Sequence, residues 1–273
     1  MSAIMMTMKP GDPLRSAAPS RYKFPRPQLA WFGVHLLFGW RRSLLRDCQT
    51  FLRTNPYPRR VEGIDHVPAA PPFVLVANHY GRPGLWPYHS GMIVTGLLAQ
   101  ARPALPHIRW LMTSEWFGRR LGPVPIPPSL YRWTFRRVAR VYGLEIVPRR
   151  AGEVVARAGV LRDIVRALQR EAVGLMPEAG GSGTLRRPVE GSGLAVHSLA
   201  SRGVPVIPVG VWDDGDTLVV SFGPPLALAP AGEDRPERDR TASEQMMVAI
   251  GRLLPERQWG VYREAIQRSF GGI

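Results

Sequence analysis

Three stretches of the chain carry residue types suited to chemistry. Asn78-His79-Tyr80-Gly81 follows directly on the apolar run Phe73–Ala77 (FVLVA). Imidazole is the side chain best suited to take up a proton near neutral pH. A histidine beside glycine at the carboxyl end of a buried strand stands where open α/β sheets hold their ligands. About 100 residues later, Met176-Pro177-Glu178-Ala179-Gly180-Gly181-Ser182-Gly183 follows a second apolar run. It sets a carboxylate in a glycine-rich loop able to turn main-chain N–H groups toward an anion. Between the two, Gly143-Leu144-Glu145-Ile146-Val147-Pro148-Arg149 puts a guanidinium near another strand end. Together the three side chains would suit a phosphate-bearing substrate. Each also has an ordinary reading: lone histidines are usually structural, and many glycine-rich loops are only turns.

These residues need a scaffold, and the hydrophobic periodicity predicts one. Phe73–Ala77 follows Pro71 and Pro72 and is apolar throughout, as in a strand buried on both faces. His89–Gln100 reads as a packed helix. Tyr131, Phe135, Val138 and Tyr142 share one helical face while Arg132, Arg136 and Arg140 line another. Val154, Ala158, Leu161, Val165 and Leu168 recur at helical spacing, and Val173–Met176 reads as a strand. A helix over Leu194–Arg202, ended by Gly203, precedes strands at Val206–Trp212 and Leu218–Phe222. The alternation predicts an α/β fold with a central mixed, mostly parallel sheet flanked by helices. The expected organisation is a flexible arm over 1–28, an interfacial helical segment over 29–55, an α/β domain over 56–228, and a linker with a C-terminal helical segment over 229–273. A capping box, Thr241 to Glu244, is expected to open the last helix, carrying Met247, Ile250 and Leu254.

At this point the ordered blocks resemble the glycerolipid acyltransferase superfamily, which includes the 1-acyl-glycerol-3-phosphate acyltransferases. That family shows Asn-His, four residues, then Asp; a glycine followed six residues on by an arginine; Phe-Pro-Glu-Gly, usually continuing to Arg-Ser; and an apolar strand centred on proline. The matching positions here are Asn78 and His79; Gly143 and Arg149; Met176, Pro177, Glu178 and Ala179, with Gly180 following and Ser182 at the serine position; and Val204–Val209. Phe222-Gly223-Pro224-Pro225 resembles the family's closing strand, so the likeness covers roughly residues 70–226. It implies that His79 is the general base removing the acceptor hydroxyl's proton. Asn78, Arg149, Pro177, Glu178, Ala179 and Gly180 would surround the substrate, with Arg149 and Glu178 on the acceptor headgroup. The chain departs from the pattern at three places: the aspartate position is Gly84, and the third block has Ala179 and Gly181 for its glycine and arginine. Glu115, Glu178, His89 or a backbone carbonyl could stand in for the aspartate that orients the imidazole.

The implied reaction moves a fatty acyl group from acyl-CoA, or an acyl carrier protein, to a hydroxyl of a lysophospholipid or glycolipid, without metal or resident cofactor. The alternative is an acyltransferase-fold protein that binds lipid or a partner without turnover. Composition agrees with an anionic partner: 36 Lys+Arg against 21 Asp+Glu give a net charge of +15. Only Lys9 and Lys23 are lysines, and arginine binds phosphate through a planar fork. A GC-rich genome would favour arginine over lysine but does not account for the net charge. Nucleic acid is not the expected partner, since the aromatic-and-basic motifs of its binders are missing. Cys48 is the only cysteine, which suits a reducing compartment, and Met1 to Gln28 lack the features of a secretory signal. Leu29–Trp40 would be a helix of about 18 Å, too short for a hydrocarbon core of about 30 Å. Aromatic at both ends and followed by Arg41, Arg42 and Arg46, it suits the headgroup region as well as it suits a buried helix. The expected location is peripheral, on the cytoplasmic side of the cell membrane. The six histidines show no metal-ligand spacing, and the nucleophile-elbow, phosphate-loop and dinucleotide motifs are absent.

Overall fold

The computed structural model describes residues 20–105, 107–113, 120–121, 124–125, 127–147, 154–178, 180–181 and 183–271. Arg149, Ala179, Ser182 and Glu115 lie outside the described residues.

In chain order the elements are α1 (Arg26–Phe38), α2 (Leu44–Thr54), β1 (Arg59–Glu62), β2 (Val74–Ala77), α3 (Pro87–Ala101), β3 (Ile108–Thr113), β4 (Arg120–Leu121), β5 (Val124–Pro125), α4 (Pro128–Tyr142) and β6 (Glu145–Val147). They continue with α5 (Val154–Ala167), β7 (Ala172–Leu175), α6 (Ser192–Ala200), β8 (Val206–Asp214), β9 (Thr217–Phe222), α7 (Arg235–Gly251) and α8 (Arg263–Phe270). Seven strands form one sheet in the order β1-β9-β8-β2-β7-β3-β6. Among the described pairs of this sheet only β8–β9, joined by the turn at Gly215, is antiparallel; β4 and β5 form a separate antiparallel pair. The fold is therefore α/β with a mixed, mostly parallel sheet, as the alternating pattern predicts.

The strand period of two explains why β2 is apolar throughout. Phe73, Leu75 and Ala77 pack with α2 and α3 side chains such as Phe51, Leu52, Ile93 and Leu98. Val74 and Val76 point the other way, toward Ile164, Val196, Met246 and Ile250 of α5, α6 and α7. Both faces are dry, so no position on β2 tolerates a polar side chain until the strand ends at Asn78.

Two expectations change near the ends of the chain. The loose arm does not extend through residues 20–28: Ser20 and Tyr22 are buried, Lys23 and Asn55 exchange hydrogen bonds of 2.9 Å, and α1 begins at Arg26 after Pro25. Toward the other end, the helix expected from Thr241 starts six residues earlier. Asp234 caps it by accepting the Glu237 N–H at 2.7 Å, with Pro in the first turn, while the Glu237 carboxylate reaches back to the Glu233 N–H at 3.1 Å. That helix is also not the last, because α8 follows it.

Candidate functional site

β2 and β7 are adjacent and parallel, with Val76 opposite Leu175. Their carboxyl ends therefore open on the same edge of the sheet, and the loops starting at Asn78 and Met176 leave side by side. The Glu178 carboxylate joins them: Oε2 accepts the main-chain N–H of His79 at 2.5 Å, and Oε1 accepts that of Arg186 at 2.6 Å. Burial pushes the Glu178 carboxyl up to about 7, against the opposing pull of those two N–H groups and the Arg186 charge. His79 is itself half-buried at this junction.

Asn78, next to His79, is buried. Its amide faces β8, donating to the Val211 carbonyl at 2.9 Å and accepting the Val211 N–H at 2.8 Å. The side chain thus extends the β2–β8 ladder one step past the strand and fixes where His79 leaves the sheet. Both ends of the amide are engaged in the sheet in this way. Pro177 is buried, with its carbonyl accepting the Val189 N–H at 2.8 Å, and Gly180 has open space where a Cβ would stand. Arg149 lies outside the described residues, the last of which before it is Val147 at the end of β6.

Both glycines that depart from the family pattern have local causes. Gly84 has φ +81°, and a Cβ there would stand 3.1 Å from Arg21 Cα, because the segment Ser20–Lys23 runs across it. Tyr22 N–H bonds the Gly84 carbonyl at 2.9 Å. A Cβ at Gly181 would strike Pro87 and stand 3.2 Å from the His79 carbonyl, so only glycine lets the two loops lie against each other there.

Of the groups weighed as substitutes for the aspartate, His89 and Glu178 are engaged elsewhere. His89 Nδ1 accepts the Trp86 N–H at 3.1 Å at the start of α3, and its ring stacks with Phe51. Burial lowers it to about 4, so it is neutral at physiological pH. Glu178 is committed through both oxygens to main-chain groups, and Glu115 lies outside the described residues.

The sequence reading missed two residues beside the site, Arg82 and Asp213. Arg82 makes a two-pronged ion pair with Asp213 at the end of β8. The Tyr80 hydroxyl donates to the same carboxylate at 2.8 Å. The run Trp212-Asp213-Asp214-Gly215-Asp216, acid at a strand's end, was the available signal.

Two open depressions of about 610 and 220 Å³ lie elsewhere; neither is lined by His79 or Glu178. Among the described residues, no group of three His, Cys, Asp or Glu side chains is placed to hold a metal.

No protein-family model matches the sequence, and no curated protein matches it either. Among solved structures, the chain is similar to the 1-acyl-sn-glycerophosphate acyltransferase PlsC of Thermotoga maritima, at 18% identity over 82% of this chain and 88% of that one, with a TM-score of 0.44. A likeness of that size assigns no activity to this chain.

Proposed function

We propose that the chain is an O-acyltransferase acting at a membrane surface, moving a fatty acyl group from acyl-CoA or an acyl carrier protein to a hydroxyl of a lysophospholipid or glycolipid. The observation that carries this reading is the hydrogen bond from His79 N–H to the Glu178 carboxylate, which unites the two blocks of the resemblance in one place. In the proposed reaction the His79 imidazole takes the acceptor hydroxyl's proton as its oxygen attacks the thioester carbonyl. The tetrahedral adduct expels the thiolate, and the imidazolium returns the proton to it. No group on the enzyme is acylated and no metal takes part. Arg149 and Glu178 are proposed to bind the acceptor headgroup, with Pro177, Ala179 and Gly180 shaping its loop. Arg186, exposed and adjacent to Glu178, is a further cation within reach of a phosphate.

A peripheral location on the cytoplasmic face of the cell membrane fits the outer surface near α1. Leu29, Trp31, Leu37, Phe38 and Trp40 are each more than half exposed. The side chains of Arg137 and Arg140 reach the turn at Gly39, where α1 ends. Exposed apolar side chains with guanidinium groups at one end suit acyl chains beneath anionic headgroups. Phe24, two residues ahead of α1, stacks on Tyr88 at 6.5 Å, which links this surface to the loop running from His79 into α3. No helix among the described residues is long and apolar enough to cross a membrane.

Gly84 favours a second reading, in which the fold binds lipid without turnover, because no carboxylate stands at that position and one placed there would be strained. One experiment separates the two: incubation of the protein with a long-chain acyl-CoA and each of a panel of lysophospholipids and glycolipids, followed by mass spectrometry of the lipid. A new diacyl or acylated product supports transfer. Tight acyl-chain binding with no product from any acceptor supports the second reading.

A further inference from the structure

We infer that Asp213, through Arg82 and Tyr80, is the positioning residue of the His79 loop, with the segment Ser20–Lys23 closing the same loop from the opposite side. This rests on the reading of His79 as the reacting group. The geometry behind it stands on its own.

His79 leaves the sheet after β2, and the chain turns back at Arg82–Leu85 through a reciprocal pair of main-chain hydrogen bonds of 2.9 Å. A short loop of this kind needs anchors if a side chain at its root is to hold one orientation. Arg82 and Tyr80, whose side chains bond the Asp213 carboxylate, belong to this loop. The ion pair is largely shielded, with side-chain exposures of 13% and 15%, and a two-pronged guanidinium–carboxylate contact fixes direction as well as distance. Asp213 is itself held rigidly: its backbone pairs with Leu218 on β9, and its carbonyl accepts from Arg257. The anchor is thus part of the sheet, next to the strand that carries His79.

The second clamp comes from the N-terminal side. Arg82 also donates to the Ser20 carbonyl at 2.6 Å and to its hydroxyl at 3.1 Å, and Tyr22 N–H bonds Gly84. The segment is tied down in turn by the Lys23–Asn55 pair and by Tyr57, whose hydroxyl donates to the Arg21 carbonyl at 2.9 Å. Arg82 is the common element, gripping the sheet with one edge of its guanidinium and the strap with the other. Where the family resemblance implies an acid inside the loop at position 84, this chain puts main chain across that position and an acid outside the loop at 213.

The test reads His79 directly. Full-length wild type, Asp213→Asn, Asp213→Glu and Tyr80→Phe are treated with diethyl pyrocarbonate across a pH series, and carbethoxylation of His79 and His35 is followed by peptide mass mapping. His35, on α1, serves as the internal reference. Asp213→Asn is expected to change the His79 rate about five-fold or more and to move the midpoint of its pH profile, with His35 unchanged and Asp213→Glu restoring most of the difference. In thioester transfer, kcat is expected to fall about ten-fold or more with little change in KM. A His79 rate and midpoint in Asp213→Asn equal to wild type overturn the inference, as does a folded Asp213→Glu that restores neither. If Asp213→Asn lacks a cooperative thermal transition, Tyr80→Phe decides: it keeps the ion pair and releases one tether, and an unaltered His79 profile counts against the inference. Labelling that changes as expected in a wild-type protein without any transferase activity leaves the positioning role standing and removes the acyl-transfer reading alone.

Discussion

The Glu178 carboxylate accepts the main-chain N–H of His79 at 2.5 Å, across 99 residues of sequence. Neighbouring parallel strands bring the two loops to one edge of the sheet, and a buried acid then bonds them together. The acid pays a desolvation cost to sit there, offset in part by two main-chain donors and the Arg186 charge. Glu178 therefore shapes the backbone where the two loops meet.

The first prediction concerns pH. Glu178 is expected to titrate near pH 7 by carboxyl carbon NMR, with the His79 amide resonance moving at the same midpoint. Since its folded pKa lies above the ordinary 4.5, the folded state holds more protons between those values, and this group's contribution to stability is lost as pH rises from about 4.5 to 7. His89 acts in the opposite sense: lowered from 6.5 to about 4, it contributes stability that is present above 6.5 and lost as pH falls. In His89→Gln the rising contribution is gone, so stability between pH 5 and 6.5 should decline more steeply with increasing pH than in wild type. Urea unfolding at several pH values checks the sign.

Gly84→Asp is predicted to harm the protein instead of completing the motif. A side chain at φ +81° costs about 1–2 kcal/mol, and its Cβ would press on the Arg21 backbone as well. Lower thermal stability and no gain in transfer rate are expected; a stable, faster enzyme would show that the strap yields readily.

Much of this arrangement was legible because it follows from periodicity. The doubly buried β2, the split faces of α4 and the strands β7, β8 and β9 announce themselves in alternation or helical spacing, and the ends of β2 and β7 locate His79 and Glu178. What could not be read depends on partners distant in sequence. Asn78 turns toward β8 only because Val211 offers a main-chain donor and acceptor there. Arg82 and Asp213 are 131 residues apart and belong to no local pattern. The strand β1 was missed because its residues, Arg-Arg-Val-Glu, are polar and it lies at the sheet's edge, where it pairs with β9 alone.

The membrane surface makes a separate prediction. Wild type should float with vesicles containing anionic phospholipid, and much less with neutral ones. Trp31→Ser combined with Phe38→Ser should weaken binding at any ionic strength. Arg137→Gln with Arg140→Gln should weaken it mainly at low salt, each arginine near the surface being worth about 1 kcal/mol. Flotation unaffected by all four substitutions would place the lipid contact elsewhere.

The most direct measurement is the rate of thioester consumption by His79→Ala beside wild type, with an acceptor lipid that wild type acylates and with both proteins matched in thermal stability. Loss of the general base should lower kcat by about 10²–10⁴-fold. A variant turning over within a few-fold of wild type would contradict the account at its centre, since the chemistry would then belong to another residue.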